Sequence, residues 1–359
     1  MFFTREFFLQ RVFARGAVCM LALWVVLSCV STADKAGRTA APELTPEEQK
    51  KLAEYKAETE IGRNMAGRLL AFYGPVEDAK LVAYVNQVGA YVAQNSDFQD
   101  RRYMFNILDN DKANAFACPG GYILITKGAL ALAENESELA MILAHEVSHV
   151  GRRHIFNTLK SMNEKDLEAA ADAAEKKTNL PESMMMRKRE EPAKGTGFGS
   201  NIGKVLAGGG ASPIGIFKAA SAGMGVLLEK GLDKKLEFEA DYDGVKFATR
   251  AGYHPDGLRQ FLKRLESKKD VMYSKVLADT HPTTQDRVSR IAKELEEMNA
   301  AEIIGATGQE RFKKMTSSIV TNSKNQKVEK VAKSEKKVKP EKTEKKSEKK
   351  VEKKAEEKK

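Results

Sequence analysis

The chain has 359 residues, 42% of them hydrophobic, and a formal charge of +10 at pH 7. The excess sits at the two ends: Arg5, Arg11 and Arg15 open the chain, and 323–359 hold 16 Lys against 8 Glu, which leaves 30–322 balanced at 41 bases and 41 acids. A neutral body of this apolar content buries the core of one or two domains and argues against a nucleic-acid-binding fold with a global basic face, leaving room only for a local patch.

The three arginines precede an apolar run from Ala17 to Leu27. That run is short of the roughly 20 residues a span needs and has the layout of a secretory signal. Val26-Leu27-Ser28-Cys29 then resembles the lipobox of bacterial lipoproteins, with Leu27 where a small residue is more usual. The resemblance implies a signal peptide over 1–29, a lipidated Cys29 as first mature residue and membrane anchor, and a linker over 30–42. Val30 is not a retention aspartate, so the periplasm-facing outer membrane is the expected location. Ser31-Thr32-Ala33 offers plain cleavage after Ala33 as the alternative, and an uncleaved anchor is the third reading. Cys19 leaves with the signal and lipidation blocks Cys29. Cys118 is then the last thiol, a packed residue rather than a nucleophile, and no intramolecular disulfide is expected.

Residues 43–72 and 78–95 read as helices, the second with Leu81, Val82, Val85, Val88 and Val92 on one stripe. The period then changes. Residues 103–108, 113–117 and 122–126 read as strands, with Pro119-Gly120-Gly121 as a turn between the last two. Residues 135–154 form a strong helix behind a capping box of Asn135 and Glu138. Residues 160–235 are a flexible insert: first charged, with some helix, then 11 glycines in 195–231. The glycine-rich part is either small-residue helices packed closely or a flexible lid. Gly203-Lys204 does not make a phosphate loop, because Phe198 and Val205 occupy the required Gly and Ser/Thr positions. Helices are expected at 233–250, 256–268 and 284–299. The Lys/Glu tail over 323–359 lacks the apolar surface to fold. It is a solubilising segment or a contact for an anionic surface such as lipid headgroups or a cell-wall polymer.

The chemistry concentrates in His145-Glu146-Val147-Ser148-His149. Residues i and i+4 share a helical face, so His145 and His149 can hold one tetrahedral metal and Glu146 can act as base on a water at the open position. A catalytic zinc needs a third protein ligand. His154, five residues beyond His149 on a continuous helix, falls on another face. Downstream, Glu237 and Asp241 are themselves i and i+4. Spacing alone does not choose Glu237 over Glu239, but the carboxylate pair on one face favours Glu237 as ligand and Asp241 as acceptor from the far nitrogen of a ligand histidine, with Glu239 solvated.

These residues resemble the HtpX-like, BepA-like and CAAX-prenyl-endopeptidase-related family of zinc metallopeptidases. The likeness also covers Asn114-Ala115-Phe116-Ala117-Cys118-Pro119-Gly120-Gly121, the run His149 to His154, Ala251-Gly252-Tyr253-His254-Pro255, and His281-Pro282 with Arg287. It implies His145, His149 and Glu237 as ligands of one Zn2+ and Glu146 as catalytic base. It implies Asn114, Ala115, Phe116 and Ala117 as the edge against which a substrate peptide lies. His281 stabilises the oxyanion or occupies the open coordination position in a resting state; read without the family it is a turn residue before Pro282. Arg287 steadies a carboxylate or the substrate. The expected fold is α+β: a mostly helical gluzincin domain over 43–322 with a small antiparallel sheet beside the HExxH helix. The expected activity is zinc-dependent endopeptidase cleavage of unfolded or misassembled cell-envelope polypeptides. The alternative is a non-enzymatic assembly factor or holdase with a structural zinc.

Overall fold

The computed structural model describes residues 44–178, 204–208, 213–268 and 280–319. The signal, Cys29, the linker up to residue 43 and the Lys/Glu tail lie outside the described residues, as do 179–203 and 209–212 of the 160–235 segment. The chain divides into two units, Met1–Gln49 and Lys50–Lys359. In the described part of the first, Thr45 and Glu48 cap a helix reciprocally: Thr45 Oγ1 accepts from the Glu48 N–H at 3.3 Å and Glu48 Oε2 from the Thr45 N–H at 2.8 Å.

Helix α1 (Pro46–Tyr73) buries Ala57, Ile61, Met65 and Leu69, a stripe four residues apart. Helix α2 (Ala79–Gln94) starts at Asp78, whose carboxylate accepts from the N–H groups of Lys80 and Leu81, both at 3.1 Å. Three strands follow: β1 (Met104–Leu108), β2 (Ala115–Cys118) and β3 (Tyr122–Thr126). Their order is β1-β3-β2.

The sheet is mixed rather than wholly antiparallel. β2 and β3 form the expected hairpin around Pro119–Gly121, but β1 runs parallel to β3. The chain reverses after β1 and leaves one strand position empty. β3 then fills it, pointing the same way as β1. Covered on both faces, β3 reads as the nearly unbroken apolar run Tyr-Ile-Leu-Ile-Thr. Ile123 and Ile125 face one core, with α2 and the helices below; Leu124, Phe116 and Cys118 face a second core, shared with α1.

After the short helix α3 (Lys127–Leu132), α4 (Glu136–Gly151) is buried along its whole length and packs its apolar side chains into the first of these cores. Its cap departs slightly from the expected box. Asn135 Oδ1 accepts from the Glu138 N–H at 3.0 Å, but Glu138 Oε2 reaches back to the Glu134 N–H, also at 3.0 Å. The helix also ends earlier than expected. Arg153 adopts a left-handed φ of 60°, and His154 begins a new helix, α5 (His154–Ser161).

Within the 160–235 segment, α6 (Glu164–Thr178) and α7 (Pro213–Gly225) pair closely and bury Leu167, Ala171, Ala174, Ala219, Ala220 and Ala222. Gly225 makes the approach possible: a Cβ there would fall 1.9 Å from the Ala170 carbonyl oxygen. A π-helical turn, Val226–Lys230, leads to α8 (Lys234–Arg250), capped by Asp233, and then to α9 (Gly257–Ser267) and α10 (Thr284–Glu297). Among the described residues no helix is long and apolar enough to cross a membrane.

Candidate metal centre and active-site cleft

Helix α4 presents His145, Glu146 and His149, and α8 packs directly across it. Gly244 of α8 lies over the His145 backbone, where a Cβ would sit 3.2 Å from the His145 nitrogen. One turn along, Asp243 clamps the two helices. Its Oδ2 accepts from Ser148 Oγ at 2.7 Å and from Arg152 Nε at 2.6 Å. The N-terminus of α4 is anchored by the buried Glu136, which accepts from the hydroxyls of Tyr84 at 2.7 Å and Tyr253 at 2.8 Å and pairs with Arg311. A carboxylate in the first turn also favours the helix dipole.

This packing brings three donor groups together. Ligand atoms of His145, His149 and Glu237 all lie within 4.8 Å of one another. The two Nε2 atoms are 3.0 Å apart. Glu237 Oε1 is 3.6 Å from His149 Nε2, and Glu237 Oε2 is 3.8 Å from His145 Nε2. Burial pushes the Glu237 carboxyl up to about 7, against the pull of His145 and Arg287. Glu237 Oε2 is buried with no hydrogen-bond partner. His149 is held well below its usual pKa, first by burial and then by the charges of His145, His154 and His281. Glu146, on the same face of α4, has its carboxyl raised chiefly by burial.

The surrounding groups fall into two arms. On one, His145 Nδ1 is 3.0 Å from Asp241 Oδ1, a close contact rather than an aligned hydrogen bond. Asp241 in turn takes a bidentate pair from Arg287, at 2.9 Å from Nε and 2.6 Å from a terminal nitrogen. Burial alone would raise the Asp241 carboxyl, but Arg287 and His145 hold it well below the ordinary range. Arg287 is thus paired with a carboxylate of the protein itself.

The other arm was not legible in advance. The left-handed turn at Arg153 folds His154 back, so its Nδ1 lies 2.9 Å from His149 Nδ1. His154 Nε2 is 3.2 Å from Glu239 Oε2, and Glu239 also pairs with Arg152 at 2.6 Å. Glu239 is thus only partly solvated, contrary to expectation. Gly151 before the break was the one available signal that α4 stops short of His154.

His281 precedes α10 and places Nε2 at 3.5 Å from Glu237 Oε2, while its Nδ1 is 2.9 Å from Thr280 Oγ1. Ala115, Phe116 and Ala117 lie in β2, the strand at the sheet edge beside this group, and Asn114 immediately precedes it. Cys118 is fully buried, and burial raises its thiol pKa. Apart from Cys29, which lies outside the described residues, and Asp241, buried behind His145, the candidate residues line two adjoining hollows that share Ala115, Glu146 and His281.

The family model described as Peptidase family M48 matches residues 79–295. Over 216 residues the chain is 27% identical to the β-barrel assembly-enhancing protease of Yersinia pestis, a match covering 60% of this chain and 39% of that protein. It is 25% identical over 219 residues to the β-barrel assembly-enhancing protease of Escherichia coli (strain K12), again 60% and 39% of the two chains. It is 24% identical over 252 residues to the mitochondrial metalloendopeptidase OMA1 of Schizosaccharomyces pombe, covering 69% of this chain and 61% of that one. The chain thus spans about two fifths of the length of the two bacterial relatives.

Proposed function

Because the chain belongs to peptidase family M48, we propose that it is a zinc-dependent endopeptidase that hydrolyses unfolded or misassembled polypeptides of the cell envelope. The observation that carries this is the buried Glu237 Oε2, which has no hydrogen-bond partner beside two converging imidazoles. Ligand atoms about 2.0–2.1 Å from a tetrahedral zinc lie about 3.3 Å from one another, close to the separations found here. Two imidazoles and one carboxylate are also a usual donor set for catalytic zinc. His145, His149 and Glu237 would hold the ion, which when bound supplies Lewis acidity toward water and a carbonyl oxygen.

The remaining steps belong to the side chains. Glu146 accepts a proton from the attacking water and passes it to the leaving amine nitrogen. Its raised pKa suits both halves of that transfer. His281 donates to the oxyanion that forms on the carbonyl. The β2 edge from Asn114 to Ala117 aligns an extended peptide through backbone hydrogen bonds, which reads backbone more than side chain. Asp241 and Arg287 hold the His145 ring. On the other arm, a neutral His149 that keeps Nε2 free for a metal carries its proton on Nδ1. It donates that proton to His154 Nδ1, and His154 donates from Nε2 to Glu239.

The lipobox-like end of the signal at Cys29 and the names of the bacterial relatives support an exported, outer-membrane lipoprotein acting on envelope proteins. The basic tail adds a contact with an anionic surface. The test is direct. Purified protein should cleave an unfolded reporter, lose that activity on treatment with a zinc chelator and recover it on adding back one equivalent of Zn2+. Cleavage that survives complete removal of metal would refute the reading.

The His154 arm makes a separate prediction. His154→Ala should weaken zinc binding about 10–100-fold, the usual cost of losing a partner that orients a ligand histidine. Competition with a chromophoric chelator measures it. Unchanged affinity would show that His149 is oriented without His154.

A further inference from the structure

Strand β2 leaves one side open, and its register shows which groups face it. The Thr126 N–H donates to the Asn114 carbonyl at 2.9 Å and the Asn114 N–H to Thr126 Oγ1 at 2.9 Å. Asn114 thus turns its backbone toward β3. With the two-residue period of a strand, Phe116 does the same, while Ala115 and Ala117 turn theirs to the open edge. An extended chain pairing there in the antiparallel sense runs from the Ala117 end toward the Ala113 end.

Two hollows lie along that line, and both are bordered by Ala115, Glu146 and His281. The one at the Ala113–Ala115 end is walled by Ile142, Leu258, Phe261, Leu262 and Leu265. The one at the Ala117 end is walled by Ile155, Val226, Leu227 and Leu232. Among the described lining residues, the ionisable groups are His145, Glu146, His149, Glu237, His281 and Arg287, all toward the reaction centre. Arg287 is committed to Asp241, and His145, His149 and Glu237 to one another. Away from Glu146 and His281, the described walls of both hollows are apolar, so a charged substrate side chain reaching into them would lose water and meet no opposite partner among the described residues, which is costly.

Resting on the hydrolytic reading above, we propose that these hollows select the cleavage site. The enzyme cuts between two large apolar residues: the residue after the scissile bond enters the Phe261–Leu262–Leu265 hollow, and the residue before it enters the Val226–Leu227–Leu232 hollow. Pairs of this kind lie in the cores of folded proteins and become reachable in an extended form only when folding or assembly fails. Selection of unfolded substrates then follows from the site's own chemistry.

The experiment uses the full-length protein with one equivalent of Zn2+ and a set of quenched fluorescent peptides. Each carries a single Leu-Leu pair in a Gly/Ser/Asn background, with either Leu replaced by Ala, Asp or Lys. Cut sites are read by mass spectrometry and rates as kcat/KM. Leu→Ala at either position should cost about 10–200-fold, in line with the worth of filling an apolar pocket, and Asp or Lys should cost more. Phe261→Ala should shift preference toward Trp at the residue after the cut and leave the residue before it unchanged.

Asp or Lys peptides cut within threefold of the Leu-Leu peptide would overturn the proposal and leave the peptidase intact. A Phe261→Ala shift at the residue before the cut would overturn the assignment of the hollows. Failure to cut any peptide, and unfolded casein as well, would overturn the hydrolytic reading and this inference with it. The peptide series needs no variant, so it decides the matter even where Phe261→Ala does not fold.

Discussion

Glu146→Gln lowers kcat for peptide cleavage by roughly 10²–10⁴-fold, the range supplied by a positioned general base, while zinc affinity stays within a few-fold of wild type. The amide keeps the size and position of the side chain but cannot accept the proton from water. His145, His149 and Glu237 are untouched, so the donor set is intact. Stability should not fall, because burial already disfavours the charged form of Glu146 in the folded protein and the substitution removes a buried carboxylate. Steady-state cleavage, chelator competition and thermal unfolding on the same preparation separate these effects. Residual cleavage within tenfold of wild type would remove Glu146 from the mechanism. Full function in cells despite lost cleavage would favour the assembly-factor alternative, in which zinc only orders the fold.

The elements legible in the sequence were those whose periodicity runs unbroken. The apolar stripe of α2 and the short apolar run of 122–126 are set by local sequence, and burial follows it. Pairing between distant segments was less legible. Nothing local tells β1 to lie parallel to β3, since that depends on the direction of the turn after Leu108. His145 and His149, or Glu237 and Asp241, could be placed on common faces because each pair lies within one helix. His154 escaped because its position depends on one backbone torsion. Arg153 has an ordinary side chain, and a left-handed φ there leaves no compositional mark as glycine would. Carrying the helix straight on sends His154 away from the site, whereas breaking it sends His154 onto His149. Glu239 reads as solvated for the same reason: on a straight helix His154 would not reach it.

Arg287→Met tests the most deeply buried charge pair in the cleft, and it should destabilise the protein by about 3–5 kcal/mol, the cost of leaving a buried carboxylate unpaired. Asp241 is 1% exposed and Arg287 6%. Their bidentate bond joins α8 to α10, and Asp241 also contacts His145 of α4, so one interaction fixes three helices. Arg287→Lys should recover little, because an ammonium cannot reproduce the two-pronged geometry. Asp241→Asn with Arg287→Met should be more stable than Arg287→Met alone, because the orphaned charge is gone. In the wild type the folded Asp241 carboxyl is held low. Its contribution is therefore complete above the unfolded value of about 3.9 and is lost only as the pH falls below that. In Arg287→Met, burial without a cation raises the same carboxyl, so the penalty is largest at neutral pH and shrinks as the pH is lowered toward 4. Urea unfolding of the four proteins at pH 7 and pH 5 measures both the loss and its pH dependence. A loss below about 1 kcal/mol for Arg287→Met, no more than an exposed ion pair is worth, would mean that water reaches Asp241 and that its hold on His145 is weak.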